Sequence, residues 1–405
     1  MRRDITTLFS TRIIRLFCYG FVSVILALYL VEAGLQEQQV GLLFSLTLAG
    51  DAGISLWLTT SADRFGRKRT LIAGALLMLG AGVVFILTRN IVLLMAAAII
   101  GVISPSGNEI GPFLSVEQAS LTHLLPAESR TQSFAWYNLA GSFATAAGAL
   151  SGGWLAQALQ SRGISPLDSY RVVLAGYALG GLVLAILFLS LSGEIEVKPS
   201  EPEEVGPRLL GLHRSRGVVA RLSGLFAMDA FAGGLIVQSM VAYWFHLKFG
   251  VEAGTIGSIF FGANVLAGIS ALLAVRLAKR FGLINTMVFT HVPSNILLIL
   301  VPLMPTLPWA IAVLLLRFSI SQMDVPTRQS YTMAVVSPDE RSAASGVTGI
   351  ARSVGAALSP SLTGLLLGVP ALISAPFFLS GALKIVYDVL LYRSFRALKA
   401  PEEGL

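Results

Sequence analysis

The stretch Ala62-Asp63-Arg64-Phe65-Gly66-Arg67-Lys68-Arg69-Thr70 decides the fold. It sets one acid and four cations into nine residues. On its amino side, residues 40–61 carry a single charge, Asp51; on its carboxyl side, residues 71–88 carry none. Apolar runs of this length match the roughly 20 residues that a helix needs to cross a bilayer. A charged knot between two such runs reads as a tight turn at one membrane face, made basic by topology.

Composition extends that reading to the whole chain. Of its 405 residues 55% are hydrophobic and 13% charged, against about 25% charged in a soluble domain. The apolar runs are continuous and about twenty residues long, so helices are expected and not the alternating segments of about ten that build a barrel. The formal net charge of +7 would point to nucleic acid in a soluble protein; here membrane orientation accounts for it, and no nucleic-acid partner is expected. A lone cysteine, Cys18, excludes an intramolecular disulfide framework. Arg2 and Arg3 precede an apolar run over residues 13–31, which is too long for a signal-peptide core and is read as a retained first helix.

Spans are placed at roughly 13–32, 40–61, 71–88, 91–120, 131–158, 170–192, 221–246, 255–277, 284–303, 308–336, 342–367 and 371–393. That makes twelve, with both termini on one side. Loops on the Asp63 side, with the termini, hold about 21 of the 29 cations, counting Arg12 and Arg15; the opposite loops hold Arg89, Arg162, Arg171 and Lys248. By the positive-inside rule the termini and the Asp63 loop face the cytoplasm, in a multi-pass protein of the cell membrane. Residues 193–220 form the one long polar connection, with Glu194, Glu196, Pro199, Pro202, Glu203, Glu204 and Pro207 ahead of Arg208, Arg214 and Arg216. Such a segment cannot bury a core and reads as a flexible cytoplasmic linker. It divides the chain into two six-span halves, 1–192 and 221–405.

The halves resemble each other. Arg64-Phe65-Gly66 recurs as Arg280-Phe281-Gly282. A shift of 211 sets Glu117-Gln118 on Arg328-Gln329, Arg130 on Arg341 and Gly153 on Gly364. Several coincidences in one order point to duplication. Parallel six-helix repeats about a central linker, with Asp63-Arg64-x-Gly66-Arg67-Lys68 between the second and third spans, resemble the major facilitator superfamily. The resemblance implies an all-α polytopic fold: 12 transmembrane helices in two pseudo-symmetric six-helix bundles. It also implies that this loop controls conformational state, its acid pairing with cations and helix ends across the domain interface. The family's motif opens with glycine four residues before the acid, where this chain has Thr59; in the second copy Lys279 replaces the acid.

Ionisable groups inside spans are costly, by about 2.5–3.5 kcal/mol on insertion scales, and face a cavity or a partner. In the first half these are Asp51, Glu109 and Glu117; in the second, Asp229, Arg317, Asp324, Arg328, Arg352, Lys384 and Asp388. The fourth span carries Ser104-Pro105-Ser106-Gly107-Asn108-Glu109-Ile110-Gly111-Pro112, and the tenth carries Ser321-Gln322-Met323-Asp324-Val325-Pro326-Thr327-Arg328-Gln329. Each proline removes a backbone donor, and interrupted helices at matching places in two halves point to a transport site. The competing reading is a packed structural kink. A carboxylate in an apolar cavity can hold a proton and trade it for solute. Glu109 is the first candidate, with Asp51 and Asp229 behind it and Asn108 beside it. Arg317, Arg328 and Arg352 suit an anionic group, since guanidinium stays charged and forks onto carboxylate or phosphate.

The alternative for these charges is ion pairing, as spacings of four allow for Asp324–Arg328 and Lys384–Asp388. Glu117 and Arg328, at equivalent places, are expected to bridge as an inner gate, flanked by Arg130 and Arg341. His291 reads as a packed histidine. Gly141, Gly148, Gly152 and Gly153 read as a close-packing face. No phosphate-binding loop ending in Lys-Ser or Lys-Thr is present, and no nucleophile–base or metal-spaced group marks an enzyme. The chain is therefore read as a monomeric, cofactor-free secondary transporter of a small solute in the bilayer, coupled to protons by antiport and exporting an amphiphilic or organic ionic compound. Uptake or uniport of an anion is the alternative within that class. A non-transporting receptor or assembly factor of the same fold is the alternative outside it.

Overall fold

The computed structural model describes residues 2–109, 111–196, 212 and 214–395; the side chains of residues 58–64, 127, 128, 131, 338 and 342 lie outside that description. Among the described residues sixteen α-helices follow one another. The first expected span is α1 (Arg2–Ser23), continued after a turn by α2 (Leu26–Glu32). Then come α3 (Glu37–Phe65) and α4 (Arg67–Leu87), the two halves α5 (Ile91–Ile100) and α6 (Phe113–Leu124) of the fourth span, α7 (Ala127–Gln160) and α8 (Pro166–Leu189). The second half opens with α9 (Arg216–Gly234) and α10 (Gln238–Phe249), followed by α11 (Ala253–Phe281) and α12 (Leu283–Leu300). The tenth span is split into α13 (Leu307–Phe318) and α14 (Asp324–Ala334), and α15 (Arg341–Leu367) and α16 (Ala375–Phe395) close the order.

Among the described residues nine segments are long and apolar enough to cross a membrane by length and composition. The fourth and tenth expected spans are not among them because each is divided. The fifth, α7, spends its length on small residues, and the reason is packing. A Cβ on Gly148 would collide with the backbone of Phe17 and Phe21, and one on Gly152 with the carbonyl of Phe21. On Gly141 it would strike Leu16 and Arg12. The backbones of α1 and α7 therefore approach closely, which is the work small residues do between membrane helices. Gly153 belongs to a different face and packs on Ala253 and Gly257.

The chain divides into two compact units: Met1–Glu201 with Val237–Asn264, and Pro202–Ile236 with Val265–Leu405. The first unit therefore includes α10 and the start of α11. Pairings inside the units repeat each other. In one, α1 packs on α7 and α4 on α8; in the other, α9 packs on α15 and α12 on α16. Gly355 of α15 meets the backbone of Ala227, and Gly234 meets Ser359 and Ala356.

Local features repeat too. Gly66 before α4 and Gly282 before α12 both have positive φ, 97° and 83°, a conformation open to glycine and strained for other residues. Arg130 Nε donates to the Leu125 carbonyl at 3.1 Å, and Arg341 Nε to the Met333 carbonyl at 2.9 Å. Each arginine at shift 211 thus caps the end of the half-helix before it.

Two expectations are corrected. The first helix begins at Arg2, well before residue 13, so Arg12 and Arg15 lie inside it and are buried. The tenth span does not break at its proline: the chain leaves the helix over residues 319–323, and Pro326 sits in the first turn of α14, where its missing donor costs nothing.

Candidate functional site

The break in the fourth span runs from Gly101 to Pro112, and it carries both prolines and two glycines of positive φ, Gly107 and Gly111. Much of its freed backbone is satisfied. Tyr177 donates its hydroxyl to the Val102 carbonyl. Ser239 donates its backbone N–H at 2.9 Å and its hydroxyl at 2.7 Å to the Pro105 carbonyl. The Ser104 hydroxyl serves Asn108 O at 2.9 Å, and the Asn108 side chain is exposed. The Gly111 N–H donates to Asp51 Oδ1 at 2.5 Å. Such accounting is what a non-helical stretch at membrane depth requires.

Around this break the first unit gathers a charge cluster from α1, α6, α7 and the break itself. Glu109 accepts from Arg12 Nη1 and from Arg15 Nε, both at 2.7 Å. Glu117 takes both terminal nitrogens of Arg15, at 2.8 and 2.7 Å, a hydrogen bond from Thr11 at 2.9 Å, and the Tyr137 hydroxyl. Arg15 and Glu117 have no exposed side-chain surface. Two cations and two carboxylates close on each other, with Arg12 over the Tyr137 ring at 4.2 Å and Arg15 over Phe113 at 4.5 Å. Asp51 of α3 stands beside this network without a cation. Its described partners are the Gly111 N–H and the Ser55 hydroxyl at 3.1 Å.

The second unit holds a larger cluster centred on Asp229 of α9. Lys384 Nζ reaches its Oδ1 at 2.6 Å, Arg328 Nη1 its Oδ2 at 3.0 Å, and Arg352 stops 3.5 Å from Oδ2. Arg328 also bonds Asp324 at 2.9 Å, one turn back. Asp388 turns instead to His291 Nδ1 at 2.8 Å and to Asn295 Nδ2 at 3.0 Å. Arg317, at the end of α13, is buried over the Phe318 ring, and its Nε has no hydrogen-bond partner.

The expected residues are thus partly regrouped. Asp324–Arg328 pairs as its spacing allows, whereas Lys384 and Asp388 do not bond each other: they turn to Asp229 and to His291. Glu117 and Arg328, expected as partners, are each taken up inside their own unit. Of the loop motif, the side chains of Asp63 and Arg64 lie outside the described residues. Gly66 makes the turn, Lys68 Nζ donates to the Leu191 carbonyl at 2.7 Å, and the buried Arg67 reaches the Ile195 carbonyl at 3.4 Å. Glu196 caps α4 by accepting from Arg67 N at 2.7 Å and Lys68 N at 3.1 Å, a carboxylate at a helix N-terminus. Residues that the sequence left out of the site are Arg12, Arg15, Tyr137 and His291. Charge balance signals the arginines, because Glu109 and Glu117 have no cation in their own span.

Comparison with known proteins agrees with this architecture. The Major Facilitator Superfamily profile matches residues 8–360. An uncharacterized membrane protein of Saccharomyces cerevisiae is 30% identical over 427 residues, covering 98% of this chain and 95% of its own. Among solved structures, a bacterial homolog of the human lysosomal transporter Spinster aligns with TM-score 0.74 at 17% identity, over 98% of this chain and 97% of that one. A D-xylose–proton symporter aligns with TM-score 0.74 at 15% identity, over 96% and 97%. At such identities the structural likeness speaks to the fold alone. The helical order, the repeated helix pairings and the family match converge: this chain belongs to the major facilitator superfamily, whose members are membrane transporters of small solutes and not enzymes.

Proposed function

We propose that the chain is a proton-coupled secondary transporter that exports a small organic ion from the cell across its cytoplasmic membrane. Transport proceeds by rocking of the two six-helix halves, 1–192 and 221–405, joined by the 193–220 linker, with the Asp63 loop controlling state.

One observation carries the coupling. Deep in the described spans, Asp229, Asp324, Glu117 and, in the break of the fourth span, Glu109 are held by arginine or lysine, and Asp388 by His291. Asp51 is the carboxylate there without a cation, and it lies at the interrupted fourth span. A carboxylate whose charge is balanced by fixed cations gains little from a proton. One held by a backbone N–H and a hydroxyl in an apolar span can take up and release a proton without stranding a partner. Glu109, with two guanidinium groups on it, is accordingly a structural ion-pair member, and Asp51 takes the coupling role.

The test uses proteoliposomes with an internal pH dye and an imposed pH gradient, screened against organic anions and cations. Solute-dependent proton movement is expected in the wild type, and Asp51→Asn is expected to reduce it at least tenfold while solute counterflow persists. Unchanged proton movement in Asp51→Asn would overturn the coupling role. A complete lack of solute movement across the screen would favour a receptor or assembly factor.

A further inference from the structure

Helix α15 has an exposed apolar stripe and, on another side, a partly open face of small residues. Ile350, Val354, Leu358 and Leu365 are bulky, apolar and exposed, as a stripe against acyl chains is. At 100° per residue Arg352 lies about 200° round from both Ile350 and Val354. On its own side, within about 60°, stand exposed Ser345 and Gly349 and half-buried Ala356, together with buried Thr348, Gly355 and Ser359, the last two against α9. A Cβ added at Gly349 meets nothing within 4 Å. Open space on the side of Arg352 therefore lies toward Ser345 and Gly349, away from the apolar stripe, while the other end of that side is packed on α9.

Arg352 is also the most loosely held cation on Asp229. Asp229 already accepts from Lys384 on one oxygen and Arg328 on the other. Arg352 Nη1 forms only a long ion pair with the second oxygen, at 3.5 Å, and is buried without a hydrogen-bond partner. Its side chain is 36% exposed, against 9% or less for Arg328, Lys384 and Asp229. Deep in the described helices of this unit, Arg317, Arg328, Arg352 and Lys384 stand against Asp229, Asp324 and Asp388. Four cations there face three carboxylates. A desolvated guanidinium is stable where a carboxylate or phosphate completes it, and its planar fork suits both.

We infer that Arg352 receives an anionic group of the transported solute — a carboxylate, phosphate or sulfonate — on the small-residue face of α15. This deepens the transporter reading and rests on it. Lys384 and Arg328 act behind Arg352, neutralising Asp229 so that the carboxylate does not repel the incoming anion. An anion leaving the cell against an entering proton is driven on both legs by an inside-negative potential.

The full chain in phosphatidylcholine nanodiscs is melted with benzoate, citrate, glycerol 3-phosphate and naphthalene-2-sulfonate as probes. Tetraphenylphosphonium serves as the cationic control, and phosphatidylglycerol nanodiscs test an anionic lipid headgroup as the source of the same chemistry. At least one of the four anions is expected to raise the melting temperature in phosphatidylcholine. Arg352→Gln should need at least tenfold more of that anion for the same rise, and Arg352→Lys severalfold more, because it keeps the charge and loses the fork. Arg276→Gln, which removes an exposed cation of α11, should respond like the wild type. The inference is overturned if no anion stabilises the protein, if only tetraphenylphosphonium or phosphatidylglycerol does, or if the Arg352 variants match the wild type. Should Arg352→Gln fail to fold, Arg352→Lys alone decides. Proton movement that depends on Asp51 and is driven by cations but by no anion would sink this inference and leave the transporter reading standing. Anion binding that depends on Arg352, with no solute movement at all, would overturn the transporter reading and with it the assignment of that anion as transported solute.

Discussion

At the scale of single residues, the charges inside the spans divide by what holds them. Glu109 sits under two guanidinium groups; removing its charge leaves Arg12 and Arg15 to share Glu117. Breaking a buried pair in this way costs about 3–5 kcal/mol. Glu109→Gln is therefore expected to lower the melting temperature strongly, and any loss of transport should scale with loss of folded protein. Full thermal stability together with lost proton movement would instead return the coupling role to Glu109. The Lys384 pairing is open to a double-mutant cycle. Lys384 and Asp229, in contact at 2.6 Å, should couple by about 2–3 kcal/mol in stability, whereas Lys384 and Asp388 should couple by less than about 1 kcal/mol. The reverse ranking would restore the pairing that a spacing of four suggests. Sequence could not decide this point: Lys384 and Asp388 share one face of α16, but which neighbour that face meets depends on the rotation of α9 and α12 against it. The partners Asp229 and His291 lie 155 and 97 residues away.

At the scale of elements, much was legible and for physical reasons. Nine of the expected spans follow from apolar length among the described residues, the duplicated loop from its recurrent Arg-Phe-Gly, and the α7 packing face from glycines that no polar role explains. What sequence misjudged were ends and breaks. The start of α1 was hidden because Arg12 and Arg15 look like loop cations until Glu109 and Glu117 neutralise them inside the bundle. The break before α14 was displaced because Pro326 can begin a helix as readily as end one. Close packing gives the sharpest prediction at this scale. Gly148→Ala places a methyl group against the α1 backbone around Phe17 and Phe21. Helices must separate to admit it, so a loss of roughly 1–3 kcal/mol is expected, as for overpacking in general. Gly224, within α9, has nothing within 4 Å of an added Cβ. There the same substitution should raise stability by about 0.5–1 kcal/mol, because alanine is the better helix former. Paired thermal melts of the two variants in one detergent check both signs. Equal effects would mean that α1 and α7 do not approach as closely as described.

At the scale of the whole molecule, orientation is a question of charge bias between the loops, and the chain offers a direct way to ask it. Cys18 is its one cysteine, and it is buried in α1 against Gly180, so Cys18→Ala supplies a background without reactive thiols. Arg162 lies exposed in the turn between α7 and α8; Glu194 lies exposed just beyond α8. One helix, α8, separates the two positions, so a single crossing puts them on opposite faces. The bias of about 21 cations to the Asp63 side predicts which face is which. Glu194 shares its side with Lys68, whose Nζ holds the Leu191 carbonyl at the end of α8. A membrane-impermeant maleimide added to intact cells should label Arg162→Cys, and should label Glu194→Cys only after permeabilisation. The opposite pattern would place the Asp63 loop outside, and with it the state control and the direction of export assigned here. Labelling of both from one side would mean that α8 does not cross at all.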